Sequence, residues 1–152
     1  MTAPMNEKRI LMVDDSARDT EMAMDALRQD PSIKEIVSMR DGVEALDYLF
    51  CRAQFTGRAD GHPSVILLDL KMPRVDGLEV LRQIKADKAL RSIPVVMMTS
   101  SREEQDLVNS YKFGANAYVV KPVRFHDYMS AVKTVGAFWT SLNEPPPLKD
   151  SA

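Results

Sequence analysis

The chain has 152 residues, of which 45% are hydrophobic and 28% charged, and its formal net charge is −2. This size and composition indicate one soluble globular domain, and the charge balance excludes the clustered excess of Lys and Arg that nucleic-acid binding needs. No apolar run approaches the roughly 20 residues that cross a bilayer. The only cysteine, Cys51, excludes an internal disulfide and predicts a reducing, cytoplasmic location.

Short apolar runs alternate with longer amphipathic segments along the chain. The runs are continuous rather than alternating, which is typical of strands covered by helices on both faces. Asp41-Gly42 indicates the start of the second helix, and Ser101 with Glu104 matches a capping box before the fourth. Five strands and five helices in strict alternation predict a doubly wound α/β sandwich with a parallel sheet. The five runs are residues 10–13, 36–37, 65–68, 95–98 and 118–120.

Polar residues follow four of the five runs at the point where each run ends. Asp14 and Asp15 follow the first run, Asp69 the third, Thr99 the fourth and Lys121 the fifth. Asp or Thr after a strand is often only a helix cap, so each residue alone is weak evidence. However, the carboxyl ends of parallel strands meet at one edge of the sheet, where open α/β folds bind ligands. The sequence therefore predicts one site at this edge.

The predicted site contains three carboxylates, a hydroxyl and an ammonium. Three neighbouring carboxylates repel one another unless a cation lies among them. Oxygen ligands favour Mg²⁺, with Mn²⁺ as the alternative, and no histidine or cysteine stands at a strand end to favour zinc. An aspartate beside the metal can act as a nucleophile and form an acyl phosphate. The metal, the lysine and the hydroxyl can then neutralise and bind the phosphoryl oxygens.

Five strings of the sequence resemble the motifs of two-component response-regulator receiver domains, over roughly residues 7 to 140. The resemblance implies a flavodoxin-like (βα)5 fold with a five-stranded parallel sheet in the order 2-1-3-4-5. It also implies a receiver domain over residues 7–142, an N-terminal extension over 1–6 and a Pro-containing tail over 143–152. The strings are ILMVDDS, DGVEAL, VILLDLKMPRVDGLEVL, IPVVMMTS and GANAYVVKPV.

The resemblance assigns roles to the residues at the predicted site. Asp69 is expected to be the phosphoryl acceptor. The metal is expected to be held by Asp69, by Asp15 directly, by Asp14 through water and by the backbone carbonyl of Lys71.

The resemblance also implies a switch beside the acceptor. Thr99 is expected to move toward the phosphoryl group while the ring of Tyr118 turns inward. Lys121 is expected to contact the phosphate, with a cis peptide bond before Pro122. Gly77 is expected to close the loop after the acceptor strand.

A sensor histidine kinase is the partner that the resemblance implies. Two features resemble those of single-domain receivers that partner bacterial phytochrome kinases. They are the long connection over 50–63 and the last helix, which ends in Phe138-Trp139. Because three prolines interrupt the 13 residues after Trp139, we expect no output domain, and signalling through the receiver's own contacts. We predict a homodimer through helix 4, strand 5 and helix 5. The buried stripe of the last helix is expected to begin at Phe125, and Phe138 falls off it. Neither nucleic acid nor a membrane is an expected partner.

Two other functions stay open on the same fold class. Mg²⁺-dependent phosphatases with an aspartate nucleophile resemble one another in a second aspartate, two residues after the nucleophile, that acts as a general acid. This chain has Lys71 at that position. A flavin or nucleotide binder needs a phosphate-cradling loop after the first strand, where this chain has the acidic string DDSARD. We therefore expect a switch that catalyses only its own phosphotransfer and dephosphorylation.

Overall fold

The computed structural model describes residues 8–58 and 61–147. The predicted extension over 1–6 and the end of the tail lie outside these residues. Five parallel strands form one sheet in the order β2-β1-β3-β4-β5, which confirms the predicted fold class and strand order. The strands are β1 (Arg9–Val13), β2 (Glu35–Met39), β3 (Val65–Leu68), β4 (Val95–Thr99) and β5 (Ala117–Val120).

A helix follows each strand, and the connections place helices on both faces of the sheet. Within the described ranges, none of these helices has the length and apolar character needed to cross a membrane. A 3₁₀ turn (Ala53–Phe55) follows the second helix, and a π-helical turn (Phe138–Leu142) extends the fifth. The helices are α1 (Ala17–Arg28), α2 (Gly42–Leu49), α3 (Gly77–Ala86), α4 (Glu104–Lys112) and α5 (Phe125–Ala137).

The three central strands are buried along their whole length, whereas β2 and β5 are partly exposed at the sheet edges. Alternate residues of the central strands face two separate cores. Leu11 and Ile66 pack with residues of α2 and α3, and Met12 and Leu67 pack with residues of α1 and α5. Burying each such side chain contributes about 1.5–3 kcal/mol. Burial on both faces explains why these strands are continuous apolar runs in the sequence.

Aspartate and serine side chains fix where three of the helices begin. Ser16, Asp41 and Asp76 each accept a hydrogen bond from the backbone N–H three residues later, at 2.9–3.1 Å. This arrangement satisfies one otherwise unpaired donor of each first turn. The bond to Asp41 confirms Asp41-Gly42 as the start of the second helix. The bond to Ser16 fixes the first turn of α1 beside the end of β1.

The predicted capping box before α4 is wrong. The helix begins at Glu104, and its cap residue Glu103 makes no side-chain capping bond. The Ser101 hydroxyl donates to Asp106 at 2.6 Å and accepts from the Glu103 N–H at 3.2 Å. Ser101 therefore stabilises the loop before the helix, because its hydroxyl oxygen accepts from a loop N–H while its proton bonds Asp106.

The last helix follows the predicted stripe except at its first residue. Tyr128 and Val132 are buried as predicted, whereas Phe125 is 48% exposed. Phe125 stands at the first position of α5, where it stacks on His126 with a ring-centroid distance of 4.1 Å instead of entering the core. Phe138, which falls off the predicted stripe, is 43% exposed.

Candidate metal and phosphoryl-acceptor site

The ends of β1 and β3 bring three carboxylates together. Asp14 and Asp15 follow β1, Asp69 follows β3, and one carboxylate oxygen of each lies within 4.8 Å of the others. Val13 lies opposite Leu68 in the parallel register, so the two strands end side by side. An all-oxygen donor set at this spacing fits a hard divalent cation. The predicted clustering of these three residues is therefore present in the structure.

Backbone hydrogen bonds orient the two buried carboxylates of the cluster. Asp14 and Asp69 are 3% and 8% exposed, whereas Asp15 is exposed. The Oδ1 of Asp14 accepts from the Ser16 N–H at 2.9 Å, and the Oδ1 of Asp69 accepts from the Leu70 N–H at 2.8 Å. One oxygen of each is thus fixed by the chain, and the Oδ2 of each faces Lys121.

Lys121 brings an ammonium group to the same edge from the end of β5. Its Nζ donates to Asp14 Oδ2 at 2.7 Å and to Asp19 Oδ2 at 2.8 Å, and lies 3.8 Å from Asp69 Oδ2. Burial alone would lower the pKa of Lys121, but the hydrogen bonds to Asp14 and Asp19 outweigh it and raise the pKa above its ordinary value. Lys121 therefore stays charged at neutral pH.

Burial dominates the electrostatics of Asp69. It raises the pKa of Asp69 to about 6; Asp14 and Asp15 act in the same direction, and Lys121 and the Leu70 N–H oppose them. The site therefore holds more negative charge than its surroundings stabilise. A divalent cation among these oxygens would supply the missing positive charge.

The loop after β3 folds tightly back over Asp69. The Gly77 N–H donates to the Leu70 carbonyl at 2.7 Å, and a Cβ at Gly77 would collide with the backbone of Asp69 and Leu70. This close approach is compatible only with glycine. Lys71 lies in the loop with a 66% exposed side chain, its Nζ 4.0 Å from Asp106 Oδ2; metal binding by its carbonyl stays a prediction.

Thr99 and Tyr118 both contact the loop that leads into α4. Thr99 is buried at the end of β4, and its Oγ1 accepts from the Ser101 N–H at 3.3 Å. The hydroxyl of Tyr118 donates to the Ser101 carbonyl at 3.0 Å. The two residues of the expected switch are therefore linked through one residue, Ser101. The movement itself stays a prediction.

The structure corrects the expected peptide geometry at Pro122. Among the described residues no peptide bond is cis, so Lys121–Pro122 is trans. The trans form is the lower-energy isomer of an X–Pro bond by about 0.5–1 kcal/mol. The Lys121 N–H, one residue before this bond, donates to the Thr99 carbonyl at 2.7 Å and continues the pairing of β5 with β4.

Sequence reasoning missed Asp19 as a member of the site. Strand-end logic could not find it, because it lies in the first turn of α1 rather than after a strand. Helical periodicity could have done so. Asp19 precedes Met22 and Ala23 by three and four residues, which places it on the face of α1 that packs inward.

Comparisons with known proteins agree with this geometry. Residues 10–133 match the model of the response regulator receiver domain family. The probable methanogenesis regulatory protein FilR2 of Methanothrix harundinacea is 38% identical over 137 residues, which cover 90% of this chain and 86% of FilR2.

Three solved structures are also similar. The phosphorylated cyanobacterial phytochrome response regulator RcpA has a TM-score of 0.88 at 35% identity, covering 93% of this chain and 99% of RcpA. The Mn²⁺-bound form of response regulator Rcp1 has a TM-score of 0.85 at 33% identity (92% and 99% covered). The bacteriophytochrome response regulator RtBRR has a TM-score of 0.72 at 54% identity (92% and 84% covered).

These similarities cover nearly all of the described residues and include every strand end that forms the acidic cluster. Receiver domains are signalling domains that partner with histidine kinases, and the three carboxylates suit the divalent metal that one of the similar structures contains. The chain belongs to the response-regulator receiver domain family of two-component signalling systems.

Proposed function

We propose that this protein is a switch that accepts a phosphoryl group on Asp69 from a sensor histidine kinase and signals through protein contacts. The observation that carries the proposal is the meeting of Asp14, Asp15 and Asp69 with the ammonium of Lys121 at one edge of the sheet. The receiver domain in this proposal spans residues 7–142, with the π-helical turn as its last element.

Mg²⁺ is the metal of this proposal. Asp14, Asp15, Asp69 and the backbone carbonyl of Lys71 would hold it, and it would neutralise carboxylate and phosphoryl charge when bound. The all-oxygen donor set supports Mg²⁺, and also Mn²⁺, the metal in the similar Rcp1 structure.

The transfer step needs few groups from the protein. A carboxylate oxygen of Asp69 forms a bond to phosphorus, the bond from phosphorus to the donor's imidazole nitrogen breaks, and its electron pair stays on that nitrogen. Lys121 binds the transferred phosphoryl oxygens as a cation. The Thr99 hydroxyl accepts from the Ser101 N–H, which leaves its own proton available for donation to a phosphoryl oxygen.

A change at Thr99 would reach the surface through Ser101 and Tyr118. Ser101 is bonded to both residues and to Asp106 at the start of α4. Moving Thr99 toward a phosphoryl group would therefore disturb the loop that holds the Tyr118 ring. Two arrangements of this loop would present two different surfaces on α4 and β5.

We propose a bacteriophytochrome kinase in the cytoplasm as the donor. Support comes from RcpA and RtBRR, which are phytochrome response regulators, RtBRR at 54% identity.

A homodimer through α4, β5 and α5 also belongs to the proposal, supported by the exposed side chains of Val108, Tyr111 and Phe138. Sedimentation should show weaker self-association for Phe138→Ala than for wild type, and a wild-type monomer at high micromolar concentration would remove the dimer.

Intact mass after incubation with acetyl phosphate and Mg²⁺ tests the acceptor. The wild type should gain one phosphoryl group, and Asp69→Asn, which keeps the volume but removes the nucleophile, should gain none. Asp76→Asn is the matched control, because asparagine also caps a helix and Asp76 lies outside the acidic cluster. Uptake by Asp69→Asn at the wild-type rate would contradict the proposal, and donor turnover without an adduct would favour the phosphatase.

A further inference from the structure

The ammonium of Lys121 is engaged by two carboxylates, neither of which is the acceptor. It bonds Asp14 at 2.7 Å and Asp19 at 2.8 Å, whereas the nearest oxygen of Asp69 lies 3.8 Å away. The last distance is beyond a hydrogen bond. Two of the three ammonium protons are therefore directed away from the position where a phosphoryl group would be attached.

Asp19 differs from Asp14 in what else it can bind. Among the described residues, the carboxylates close enough to share one metal ion are Asp14, Asp15 and Asp69, and Asp19 is not among them. Asp14 thus belongs both to the expected metal ligands and to the partners of Lys121. Within residues 8–58 and 61–147, Lys121 is the one side chain of the site that the Asp19 carboxylate bonds.

The backbone holds Asp19 in place independently of the acceptor loop. Its N–H donates to the Ser16 hydroxyl at 3.1 Å, and its carbonyl accepts from the Tyr128 hydroxyl at 3.3 Å. These bonds fix the first turn of α1 against α5. The Asp19 side chain is 28% exposed, so its carboxylate is only partly screened by water where it meets the buried lysine.

Building on the proposed function, we infer that Asp19 is a positioning residue that holds the Lys121 ammonium back from Asp69 and competes with a phosphoryl group for it. The ammonium must turn from Asp19 toward Asp69 when the phosphoryl group arrives. Asp19 therefore weakens anion binding at the acceptor, and removing its charge should strengthen that binding.

Calorimetric titration with beryllofluoride, an anionic phosphoryl analogue, in the presence of Mg²⁺ measures this competition. Asp19→Asn should bind the analogue about fivefold more tightly than wild type, as expected for loss of one partly exposed ion pair. Asp25→Asn on the same helix removes an exposed carboxylate that pairs with Arg28 and should bind like wild type. Mg²⁺ alone should bind Asp19→Asn no more tightly than wild type. Loosening of the site would instead weaken binding of both ligands.

A lysine variant separates competition for Lys121 from simple charge repulsion. In a Lys121→Gln background, Asp19→Asn should no longer strengthen binding of the analogue, and a full fivefold gain there would overturn the positioning role. Asp19→Ala serves as a second variant, with the same expected gain, should Asp19→Asn fail to fold. Unchanged or weaker binding in the Asp19 variants would overturn the inference alone, whereas a wild type that binds no analogue would overturn the proposed function.

Discussion

The two edges of the sheet each hold a partly or largely buried lysine, and the two lysines have opposite surroundings. At the carboxyl edge, Lys121 bonds to the carboxylates of Asp14 and Asp19. At the amino edge, Lys85 donates only to neutral oxygens at 2.9–3.0 Å, namely two backbone carbonyls and the Asn116 side chain. Burial lowers the pKa of Lys85, whereas the carboxylates raise that of Lys121.

This difference separates a functional cation from a structural one. Neutral acceptors satisfy the three protons of Lys85 completely, and these bonds join α3 to the loops before β4 and β5. The carboxylates around Lys121 leave excess negative charge that a metal and a phosphoryl group can rearrange. The charge of the acceptor groups around each lysine, rather than burial alone, therefore predicts what that lysine does. Substitutions at the two edges should have different consequences.

The largest effect is expected for Lys121→Met. Loss of a cation that stabilises transferring phosphoryl oxygens should slow phosphoryl uptake about 100-fold, which equals about 2.7 kcal/mol. The rate of mass gain from acetyl phosphate with Mg²⁺ measures it. Lys85→Met should react at the wild-type rate. Equal rates for Lys121→Met and wild type would remove the distinction between the two edges.

Mg²⁺ should stabilise the folded protein through groups at the carboxyl edge alone. Mg²⁺ that binds the folded state alone should add about 2.7 kcal/mol to the free energy of unfolding at 100 times its Kd. Thermal melting with and without Mg²⁺ measures this gain. Asp15→Ala should lose most of the gain, because Asp15 contributes one of the three clustered carboxylates. Asp25→Ala should keep it, and an unchanged Mg²⁺ response in Asp15→Ala would remove Asp15 from the site.

At the amino edge, Lys85→Met should lower stability without changing phosphorylation. Methionine keeps the aliphatic stem that packs beside Gly114 but removes the three donated hydrogen bonds. The Asn116 oxygen keeps its bond from the Val95 N–H, but the Arg91 and Ile93 carbonyls lose the donor. This loss should lower the free energy of unfolding by about 1–3 kcal/mol, measured by urea denaturation. Lys88→Met, at an exposed position between α3 and β4, should be nearly neutral. Matching stabilities for the two variants would argue against a structural role for Lys85.

The two edges also differ in how well the sequence predicts them. Asp14, Asp15, Asp69, Thr99 and Lys121 could be placed together because parallel strands end at one edge, and the apolar runs locate those ends. The three bonds of Lys85 could not be predicted, because they join α3 to loops that only tertiary packing brings near. Strand-end reasoning misses Asp19 for a similar reason, since a helix brings its side chain to the site.

Local sequence patterns were least reliable at the starts of helices. Ser101 has the spacing of a capping box, yet its hydroxyl accepts from the Glu103 N–H in the loop, and α4 begins later than predicted. Phe125 has the period of the buried stripe but stands at the first position of its helix, where the core does not cover it. Periodicity describes the interior of an element better than its ends, where competing contacts decide the outcome.

The smallest effect concerns a lysine that lies at the carboxyl edge but outside the buried cluster. The Lys71 side chain is 66% exposed, and its Nζ lies 4.0 Å from the carboxylate of Asp106. Hydrolysis of an acyl phosphate on Asp69 requires water in line with phosphorus. The long stem of Lys71, two residues after the acceptor, can cover that approach.

We therefore expect Lys71→Asn to shorten the life of the phosphorylated state about threefold, since an exposed side chain excludes water only part of the time. The decay of the phosphorylated mass after removal of the donor measures the lifetime. Lys88→Asn makes the same change at an exposed lysine between α3 and β4 and should decay like wild type. Decay of Lys71→Asn at the control rate or slower would show that Lys71 does not shield the acceptor. Faster decay would show that an exposed side chain, as well as the buried residues of the carboxyl edge, affects the phosphorylated state.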